Sequence, residues 1–592
     1  MTKNKIWVII KDMTTNISFT QFYNKLSTKF AFEWSVPEIK FGLLSTNQAF
    51  KMAKELRQNP NQIATNLRAE IQDFLAQEFE NTFEAVQVGP YINIKIANYS
   101  DLDFEINLQK NDQKLLLEYV SPNVAKPLHA GHIRNANYGE VLRRVMSLKY
   151  QKLETMCYWG DWGVQFGVII WAWKQLEIQK EVVTNLNSEE LKINLQSFDQ
   201  NPIETMVGLY VWGSNQKEQF ENEQKAEFMA LENGQNRDIW QKLLLASKQN
   251  VIEELGQLGL PEFDYHWGES YYEDEMKLLE VFFEENNLWQ KDPQNPLARF
   301  VQFDNLDFFE PKRAKQLGRM YLKSSQGYTS YAFRDVAARI LWAREIGVDL
   351  AITITANEQI HHFEQFIAYL EYLKQIPSFA QKSLKINPLH LSYGFLTLPD
   401  GKMSTRKGLF VTAQNIINQV KEKVAEILKA KNGNCDPKTI HTLAIAALKW
   451  YDLSKNCSSD VVLNMEEMLS FEGNTGIYQL YTVARISSIF AKTTSQENPN
   501  FETLNEAEKL ILSQVFAISQ TVERVATDYK PHYLCTHLFE LCQNINSWYA
   551  KNSISQETDP TRQATMILML QIARQNIQKS LNLLGIETLD NF

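Results

Sequence analysis

The chain has 592 residues, a hydrophobic fraction of 44% and a formal net charge of −10, so it exceeds one hydrophobic core and should form several domains. The negative charge argues against non-specific coating of nucleic acid, although it leaves room for a local basic patch. The apolar runs are too short for a membrane helix or a secretory signal, and five cysteines without a CxxC pair predict neither zinc nor disulfides, which together indicate a reduced, cytoplasmic protein.

Four regions follow one another along the chain. Residues 1–110 mix helical stretches with the strand-like "YINIKIANY", which predicts an α+β domain. Residues 111–410 alternate helices with the apolar runs "KLLLEYV", "KLETMCYWG" and "DLAITITA", a pattern typical of an α/β domain with a buried parallel sheet. A charged helical insertion is predicted at about 170–260. Residues 411–470 form a linking helical region, and 471–592 a glycine-poor helical bundle.

Residues 121–139 read "SPNVAKPLHAGHIRNANYG" and connect a predicted strand to a predicted helix. Ligands bind at the carboxyl ends of parallel strands, and a helix N-terminus offers free N–H groups to phosphate. Gly131 allows close backbone approach, while His129 and His132 can hydrogen-bond the phosphates of a nucleotide. Histidines at this spacing also occur by chance, so the motif alone is moderately specific.

Residues 400–408 read "DGKMSTRKG" and form a second candidate element. Lys402, Arg406 and Lys407 bring three cations to one short loop, which suits a triphosphate. In isolation, a solvated basic turn is the simpler interpretation. The combination with the two histidines on a preceding α/β sheet favours a nucleotide site.

The motifs HAGH and KMST resemble the two signatures of the class I aminoacyl-tRNA synthetases. The blocks "EYVSPNVAKPLHAGHIRNA", "GDWGVQFG", "FDYHWGESYY", "YAFRDVA", "DGKMSTRKG" and "EGNTGIYQLYTVARI" are similar, in this order, to the arginyl-tRNA synthetase family. The resemblance implies a Rossmann-type catalytic domain, an N-terminal domain that binds the tRNA elbow and an all-α C-terminal anticodon-binding bundle. It implies activation of L-arginine with ATP and Mg²⁺ to arginyl-adenylate, and transfer to the 3′ end of tRNA(Arg) by a monomeric enzyme.

The resemblance also assigns residues to the nucleotide. His129, His132 and Lys402 match catalytic positions, and the ATP-binding set comprises His129, Gly131, His132, Lys402, Met403, Ser404 and Arg406. The usual loop reads Lys-Met-Ser-Lys-Ser, and here Thr405 stands at the second lysine. Arg406, Lys407 or Lys126 could supply the missing charge.

A guanidinium is best recognised by planar acceptors, ideally carboxylates. By resemblance, the arginine-binding set comprises Glu118, Asn123, Tyr331, Asp335 and Gln359. Tyr331 and Asp335 share one face if "SYAFRDVAARILWARE" is helical. The alternative for Asp335 is a salt bridge to Arg339. Phe333 replaces the threonine of the family's Tyr-x-Thr-Arg-Asp.

Both ends of the chain carry predicted tRNA contacts. In "VGPYINI", Tyr91 and Asn93 match elbow-contacting positions, while Val88 replaces a polar residue. In "GIYQLYTVAR", the anticodon-loop positions fall at i, i+3 and i+7 of a predicted helix, at Tyr478, Tyr481 and Arg485. Aromatic side chains stack on unpaired bases, although a row of buried core residues on one helix face would give the same spacing.

Two kinds of rival function remain. One is a class I synthetase for another amino acid, or a nucleotidyltransferase that shares the first motif. The other is a degenerate synthetase paralogue that binds tRNA or acts as a scaffold. An intact HAGH motif, Lys402 and the Glu118–Asp335 pair argue against the second.

Overall fold

The computed structural model describes residues 16–186, 189–380, 385–397, 412–431, 433, 435–493 and 497–592. The chain forms two compact units, each described here by itself. The terminal unit comprises Met1–Lys110, Ala425–Ser454 and Glu466–Phe592. The central unit comprises Asn111–Val424 and Lys455–Met465.

The strands are β1 (Ile17–Ser18), β2 (Leu44–Thr46), β3 (Phe83–Val88), β4 (Tyr91–Ile96), β5 (Leu102–Asp103), β6 (Asn111–Glu118), β7 (Tyr150–Met156), β8 (Val182–Leu186), β9 (Glu189–Ile193), β10 (Gln290–Lys291), β11 (Arg299–Gln302), β12 (Arg319–Lys323), β13 (Leu350–Ala356), β14 (Asn387–Tyr393), β15 (Leu396–Thr397) and β16 (Val461–Val462). The helices are α1 (Phe19–Lys29), α2 (Gln48–Leu56), α3 (Pro60–Phe79), α4 (Ala130–Lys149), α5 (Val164–Gln179), α6 (Leu195–Gln200), α7 (Pro202–Asn215), α8 (Lys217–Glu232), α9 (Arg237–Gln257), α10 (Glu273–Glu285), α11 (Pro311–Leu317), α12 (Tyr331–Leu341), α13 (Ile360–Leu373), α14 (Pro377–Ala380), α15 (Ala413–Ala430), α16 (Pro437–Leu453), α17 (Met465–Met468), α18 (Gly476–Lys492), α19 (Glu506–Phe516), α20 (Ile518–Asp528), α21 (His532–Tyr549) and α22 (Pro560–Leu583).

A parallel sheet with strand order β14-β13-β6-β7 forms the centre of the central unit. The predicted parallel α/β sheet is thereby confirmed. Its middle strand, β6, buries Leu115, Leu116 and Leu117. In the ladder, Glu118 at the end of β6 is paired with Thr353 of β13 on one side and Met156 of β7 on the other. The last residue of β6 is therefore held between two neighbouring strands.

Helix α4 connects β6 to β7 and packs closely against the end of β6. At Gly139 a Cβ atom would lie 2.1 Å from Cδ2 of Tyr119, so only glycine fits beside this buried ring. Close packing fixes the position of α4 relative to the strand. The residues that start α4 therefore lie at the carboxyl end of the sheet.

The insertion at 170–260 differs from the purely helical prediction. Helices α5 to α9 fill most of it, but β8 and β9 form an antiparallel hairpin. Val182 and Thr184 of β8 are buried and Val183 is exposed. Alternation over only five residues is easily lost beside charged helical sequence, which explains the missed hairpin.

The terminal unit combines an antiparallel sheet of order β2-β4-β3 with helices from the chain's C-terminal region. Phe516 of α19 packs against Phe19 and Phe83 of the N-terminal region, with ring centroids 5.7 and 6.1 Å apart. Among the described residues, no helix is both long and apolar enough to span a membrane.

Gly139→Ala should destabilise the central unit because the new methyl group meets the Tyr119 ring. Overpacking of this kind typically costs about 1–3 kcal/mol. The helical, exposed Gly256 has no neighbouring atom within 4 Å of its would-be Cβ, so Gly256→Ala is the matched control and should be neutral or slightly stabilising. Calorimetric melting temperatures test this, and an unchanged value for Gly139→Ala would disprove the packing argument.

Candidate active site

The two histidines form the start of α4. His129 is the N-cap residue, and its Nδ1 accepts the N–H of Gly131 at 3.1 Å. Nδ1 of His132 accepts the N–H of His129 at 3.1 Å, and the ring centroids lie 4.0 Å apart. At Gly131 a Cβ would lie 3.0 Å from the His129 ring, so the glycine permits this tight turn. Both Nδ1 atoms are therefore used by backbone donors.

Their protonation state follows from these contacts. Because Nδ1 accepts a hydrogen bond in each neutral ring, the proton of each lies on Nε2. Removal from water, followed by the charge of Lys126, lowers the pKa of His129. Burial, then His129 and then Lys126, lowers the pKa of His132 well below 6.5. The turn thus presents two neutral Nε2–H donors at a helix N-terminus, where an anion is favoured.

The loop between β6 and α4 is held in an uncommon conformation. Val120 has φ 76°, which is unfavourable for a β-branched residue. Its N–H donates to Oδ1 of Asn135 at 2.7 Å, and Nδ2 of Asn135 donates to the Ile354 carbonyl at 2.8 Å. Ala125 has φ 64°, and its N–H donates to Oγ of Ser247 at 2.9 Å. Surrounding side chains therefore compensate for the strain in this loop.

Asn123 and Lys126 lie within the same loop. The Asn123 amide packs on Gly160, where a Cβ would be 2.5 Å from its Oδ1. Val124 donates its N–H to the Gly160 carbonyl at 3.1 Å. The Lys126 ammonium lies 5.1 Å from the centroid of Tyr210 and close enough to both histidines to lower their pKa. Lys126 is thus a cation beside the two Nε2–H donors.

The predicted ATP-binding residues Lys402, Met403, Ser404 and Arg406, together with Thr405 and Lys407, lie outside the described residues. The described residues on either side of them both contact the start of α4. Arg134 donates to the carbonyls of Gly394 and Phe395 at 2.9 and 3.1 Å. Thr412 bridges to His129, and Ala413 donates its N–H to Leu128 at 2.7 Å.

The two predicted guanidinium acceptors meet at an internal arginine. Arg339 donates from Nη1 to Oδ1 of Asp335 at 3.0 Å and from Nη2 to Oε2 of Glu118 at 3.1 Å. Thr353 Oγ1 also donates to Oε2 of Glu118 at 2.7 Å. The structure therefore brings Glu118 and Asp335 together through Arg339, and it contains the Asp335–Arg339 salt bridge that was the alternative interpretation of Asp335.

Histidines complete the surroundings of Asp335. Nε2 of His362 lies 2.6 Å from Oδ2 of Asp335, and His390 stacks on Phe363 at 4.0 Å. Burial works to raise the pKa of Asp335, but the His362 hydrogen bond and the charge of Arg339 lower it overall. Burial raises the pKa of Glu118, and Arg339 is the largest force opposing that rise. Of the two carboxylates, Asp335 is the more firmly ionised.

Tyr331 and Gln359 are exposed residues near this cluster. Tyr331 begins α12, one turn before Asp335, as the helical prediction requires. Gln359 precedes α13 and has no hydrogen bond to any described residue.

The sequence prediction missed Glu269. Only 2% of its surface is exposed, burial raises its pKa to about 8, and its charge is the largest influence raising the pKa of Tyr331. Arg334 Nη1 lies 3.7 Å from Glu269 Oε2. This carboxyl therefore faces the same pocket as Tyr331. The conspicuous "FDYHWGESYY" block was the available signal.

The predicted elbow-contacting positions differ in exposure. Tyr91 is 46% exposed and its ring meets Phe50 edge-on at 5.7 Å. Val88, also exposed, pairs with Tyr91 across the β3–β4 hairpin. Asn93 is only 5% exposed because it lies inside the ladder between β2 and β3. Tyr91, Val88 and Phe50 therefore form the exposed surface here, and Phe50 was not foreseen.

The predicted anticodon-contacting positions lie on α18. Tyr481 is exposed, whereas Tyr478 and Arg485 are half-buried. Asn546 of α21 donates to the Tyr478 hydroxyl at 3.0 Å and lies 3.4 Å from Nη1 of Arg485. The Arg485 guanidinium also lies 4.7 Å from the Tyr549 ring. One asparagine thus fixes two of the three side chains on this face.

Three family profiles match the sequence: "tRNA synthetases class I (R), catalytic domain" over 96–465, "DALR anticodon binding domain" over 479–592 and "Arginyl tRNA synthetase N terminal domain" over 4–96. An arginine–tRNA ligase of Clostridium acetobutylicum is 27% identical over 91% of this chain and 92% of its own. One of Clostridioides difficile is 29% identical over 90% and 91%.

Two solved structures share the fold. Thermus thermophilus arginyl-tRNA synthetase superposes with a TM-score of 0.77 at 19% identity, covering 97% of this chain and 100% of its own. The Plasmodium falciparum arginyl-tRNA synthetase superposes with a TM-score of 0.73 at 21% identity, covering 98% and 100%. The similarity therefore extends over both units of the chain.

The lowered pKa of His132 predicts an acid-sensitive fold. As the pH falls below about 6.5, the unfolded chain takes up a proton at this ring while the folded ring stays neutral, so stability decreases. His132→Asn keeps an acceptor for the His129 N–H and removes the titration. Its melting temperature should therefore fall less between pH 7 and pH 5 than that of the wild type.

The control is His361→Asn, because the His361 side chain is exposed on α13. That variant should show the full wild-type decrease. If His132→Asn shows the same decrease as well, the pKa of His132 is not lowered in the folded protein.

Proposed function

The chain belongs to the class I tRNA synthetases of the arginine type, and we propose that it activates L-arginine with ATP and transfers it to tRNA(Arg). It is an aminoacyl-tRNA ligase. In the first step the arginine carboxylate attacks the α-phosphorus of ATP, giving arginyl-adenylate and releasing pyrophosphate. In the second, the tRNA 3′ end accepts the arginyl group and AMP leaves. The main observation in favour of arginine as the substrate is that Glu118 and Asp335 meet at one place in the central unit.

His129 and His132 bind the phosphates of ATP in this proposal. Their Nε2–H groups stabilise negative charge as it develops in the transition state, and no covalent intermediate with the protein is needed. A neutral ring suits this geometry because its Nδ1 can accept the backbone N–H while its Nε2–H remains a donor. The alignment of arginine and ATP at the ends of adjacent strands supplies the remaining rate enhancement.

A basic loop would then complete the nucleotide site. Lys402 is the proposed catalytic cation, and the proposed ATP-binding set comprises His129, Gly131, His132, Lys402, Met403, Ser404 and Arg406. In support of this proposal, Gly394 and Thr412, on either side of the basic loop, both contact the start of α4. Lys126 is the best candidate for the charge that Thr405 lacks, because it already lies beside both rings.

Mg²⁺ enters as part of the ATP substrate in this proposal. Within the described ranges, no group of three or more histidine, cysteine or carboxylate side chains has the arrangement of a metal site. Mg²⁺ commonly keeps several waters and binds mainly through substrate phosphates. In this proposal the ion is therefore bound through the phosphates of ATP and through water.

Arginine recognition uses the opposite side of the strand-end loop. Glu118 and Asp335 accept from the substrate guanidinium, Tyr331 covers it, and Gln359 lies at the neighbouring helix start. Asn123 holds the α-amino and carboxylate end. The support is that Glu118 and Asp335 converge and that Tyr331 lies on the Asp335 face of α12.

For tRNA we propose two contact regions in the terminal unit. The elbow is bound within 1–110 through Tyr91 and Asn93, and the exposure of Tyr91 beside Phe50 supports the first of these. The anticodon loop is bound within 471–592 through Tyr478, Tyr481 and Arg485. The catalytic domain spans 111–410 and a helical link 411–470. We also propose that the enzyme is a cytoplasmic monomer.

A charging assay tests the function. The protein is incubated with ATP, Mg²⁺ and a tRNA(Arg) transcript, and each of the twenty amino acids is offered separately. Arginine alone should be esterified, and a tRNA(Lys) transcript should stay uncharged as the control. Charging of another amino acid, or none, would refute the proposal.

His129→Ala and His132→Ala should each slow adenylate formation by roughly 10²–10³-fold, the usual cost of one transition-state donor. Arginine affinity should change little because the rings face the nucleotide. Single-turnover kinetics with saturating ATP measure the rate of adenylate formation. The control is His361→Ala, because the His361 side chain is exposed. A lost arginine affinity with an intact chemical step would reverse the assigned roles.

Asp335→Asn should reduce kcat/KM for arginine by roughly 10²-fold or more, because the amide keeps the shape but leaves a donor facing the guanidinium. Selectivity over citrulline and canavanine should fall with it, whereas KM for ATP should not. Asp274→Asn, on an exposed part of α10, is the matched control. Near-native kinetics and selectivity would make Asp335 a purely structural residue.

A further inference from the structure

An arginine of the protein itself lies between the two carboxylates that recognise the substrate. Only 1% of the Arg339 side chain is exposed, so it is part of the packed interior of the central unit. Its guanidinium lies 4.3 Å from the Trp342 ring centroid and 5.0 Å from that of Phe366. Such stacking holds a planar guanidinium in one orientation.

The hydrogen bonds of Arg339 reach three elements of the fold. Nη1 binds Asp335 on its own helix, while Nη2 binds Glu118 at the end of β6 and Thr353 Oγ1 of β13 at 2.8 Å. The fork of one side chain therefore sets the distance between the two carboxylates. Neither carboxylate can rotate freely towards a substrate without breaking one of these bonds.

The charges of these three side chains also support a role for Arg339 in substrate recognition. Glu118 and Asp335 together carry two negative charges when ionised, and Arg339 cancels one of them. These two carboxylates are then left with one negative charge that Arg339 does not cancel, which suits the positive charge of an arginine side chain. Without Arg339, Glu118 would be a buried carboxylate with no cation bonded to it in the described structure, which is strongly unfavourable.

We propose that Arg339 is a positioning residue for substrate recognition: its guanidinium holds Glu118 and Asp335 in the binding orientation and cancels one of their two negative charges. The inference rests on the proposed arginine–tRNA ligase function. It assigns to Arg339 no contact with the reacting atoms. Arg339 acts through the two carboxylates, so its loss should weaken arginine binding selectively.

Two variants separate this role from simple structural support. Arg339→Met keeps most of the length of the side chain and removes the charge, whereas Arg339→Lys keeps the charge but cannot form the two-pronged contact. Arg313→Met is the matched control, because Arg313 lies on the exposed helix α11 and forms a surface ion pair with Glu371. Melting temperatures verify that each variant is folded.

Steady-state charging with tRNA(Arg) then gives KM for arginine, KM for ATP and kcat. Arg339→Met should raise KM for arginine by roughly 10²-fold, the scale for losing one partner of a buried charge pair, with KM for ATP and kcat within about 3-fold of the wild type. For Arg339→Lys, KM for arginine should lie between the wild-type value and the Arg339→Met value. If Arg339→Met does not fold, the same selective rise in Arg339→Lys decides the question.

Three results would overturn the proposal: unchanged KM for arginine in a folded variant, equal increases in KM for arginine and for ATP, or a decrease in KM for arginine. The last would make Arg339 an internal competitor for the substrate position. Wild-type protein in the same assay distinguishes a failure of the proposed function from a failure of the role of Arg339. If it fails to charge arginine, the proposed function itself is wrong, whereas charging with any of the three results removes only the role of Arg339.

Discussion

Inside the central unit, one guanidinium is shared by two carboxylates that come from different elements of the fold. Charges removed from water are stable only when they are paired and hydrogen-bonded, so this contact constrains the strand end at Glu118, the helix carrying Asp335 and the strand carrying Thr353 together. His362 extends the constraint to α13. The proposed arginine site consequently depends on several elements at the strand ends, and no single loop determines it.

The same strand end also creates the nucleotide site. Directly after Glu118 the chain passes through the left-handed conformation of Val120, which Asn135 fixes from α4. The loop then reaches His129 at the helix N-terminus. One connection thus leads from a carboxylate suited to a cationic side chain to two neutral donors suited to phosphate. In the proposed function, arginine binds near the first end of this connection and ATP near the second.

Local patterns predicted much of this arrangement. Short apolar runs identified the parallel strands, and an i, i+4 spacing predicted that Tyr331 and Asp335 share a face of α12. The segment 121–139 was predicted to connect a strand to a helix, and the helix α4 begins there at the histidines. Each of these signals operates within a few residues, where backbone geometry depends mainly on local sequence.

Long-range contacts were harder to foresee. The Arg339–Glu118 bond joins residues 221 positions apart, and spacing along the chain carries no information about it. The burial of Asn93 and the contact of Phe50 with Tyr91 are similar cases. They depend on how elements pack, which is decided by tertiary structure.

The most direct test of the account is a crystal structure of the protein with L-arginine bound. The account predicts the substrate guanidinium within hydrogen-bonding distance of Glu118 and Asp335, with the Arg339 side chain still on Trp342 and still bonded to both carboxylates. A substrate guanidinium bound away from Glu118 and Asp335, or one that had displaced Arg339, would contradict it.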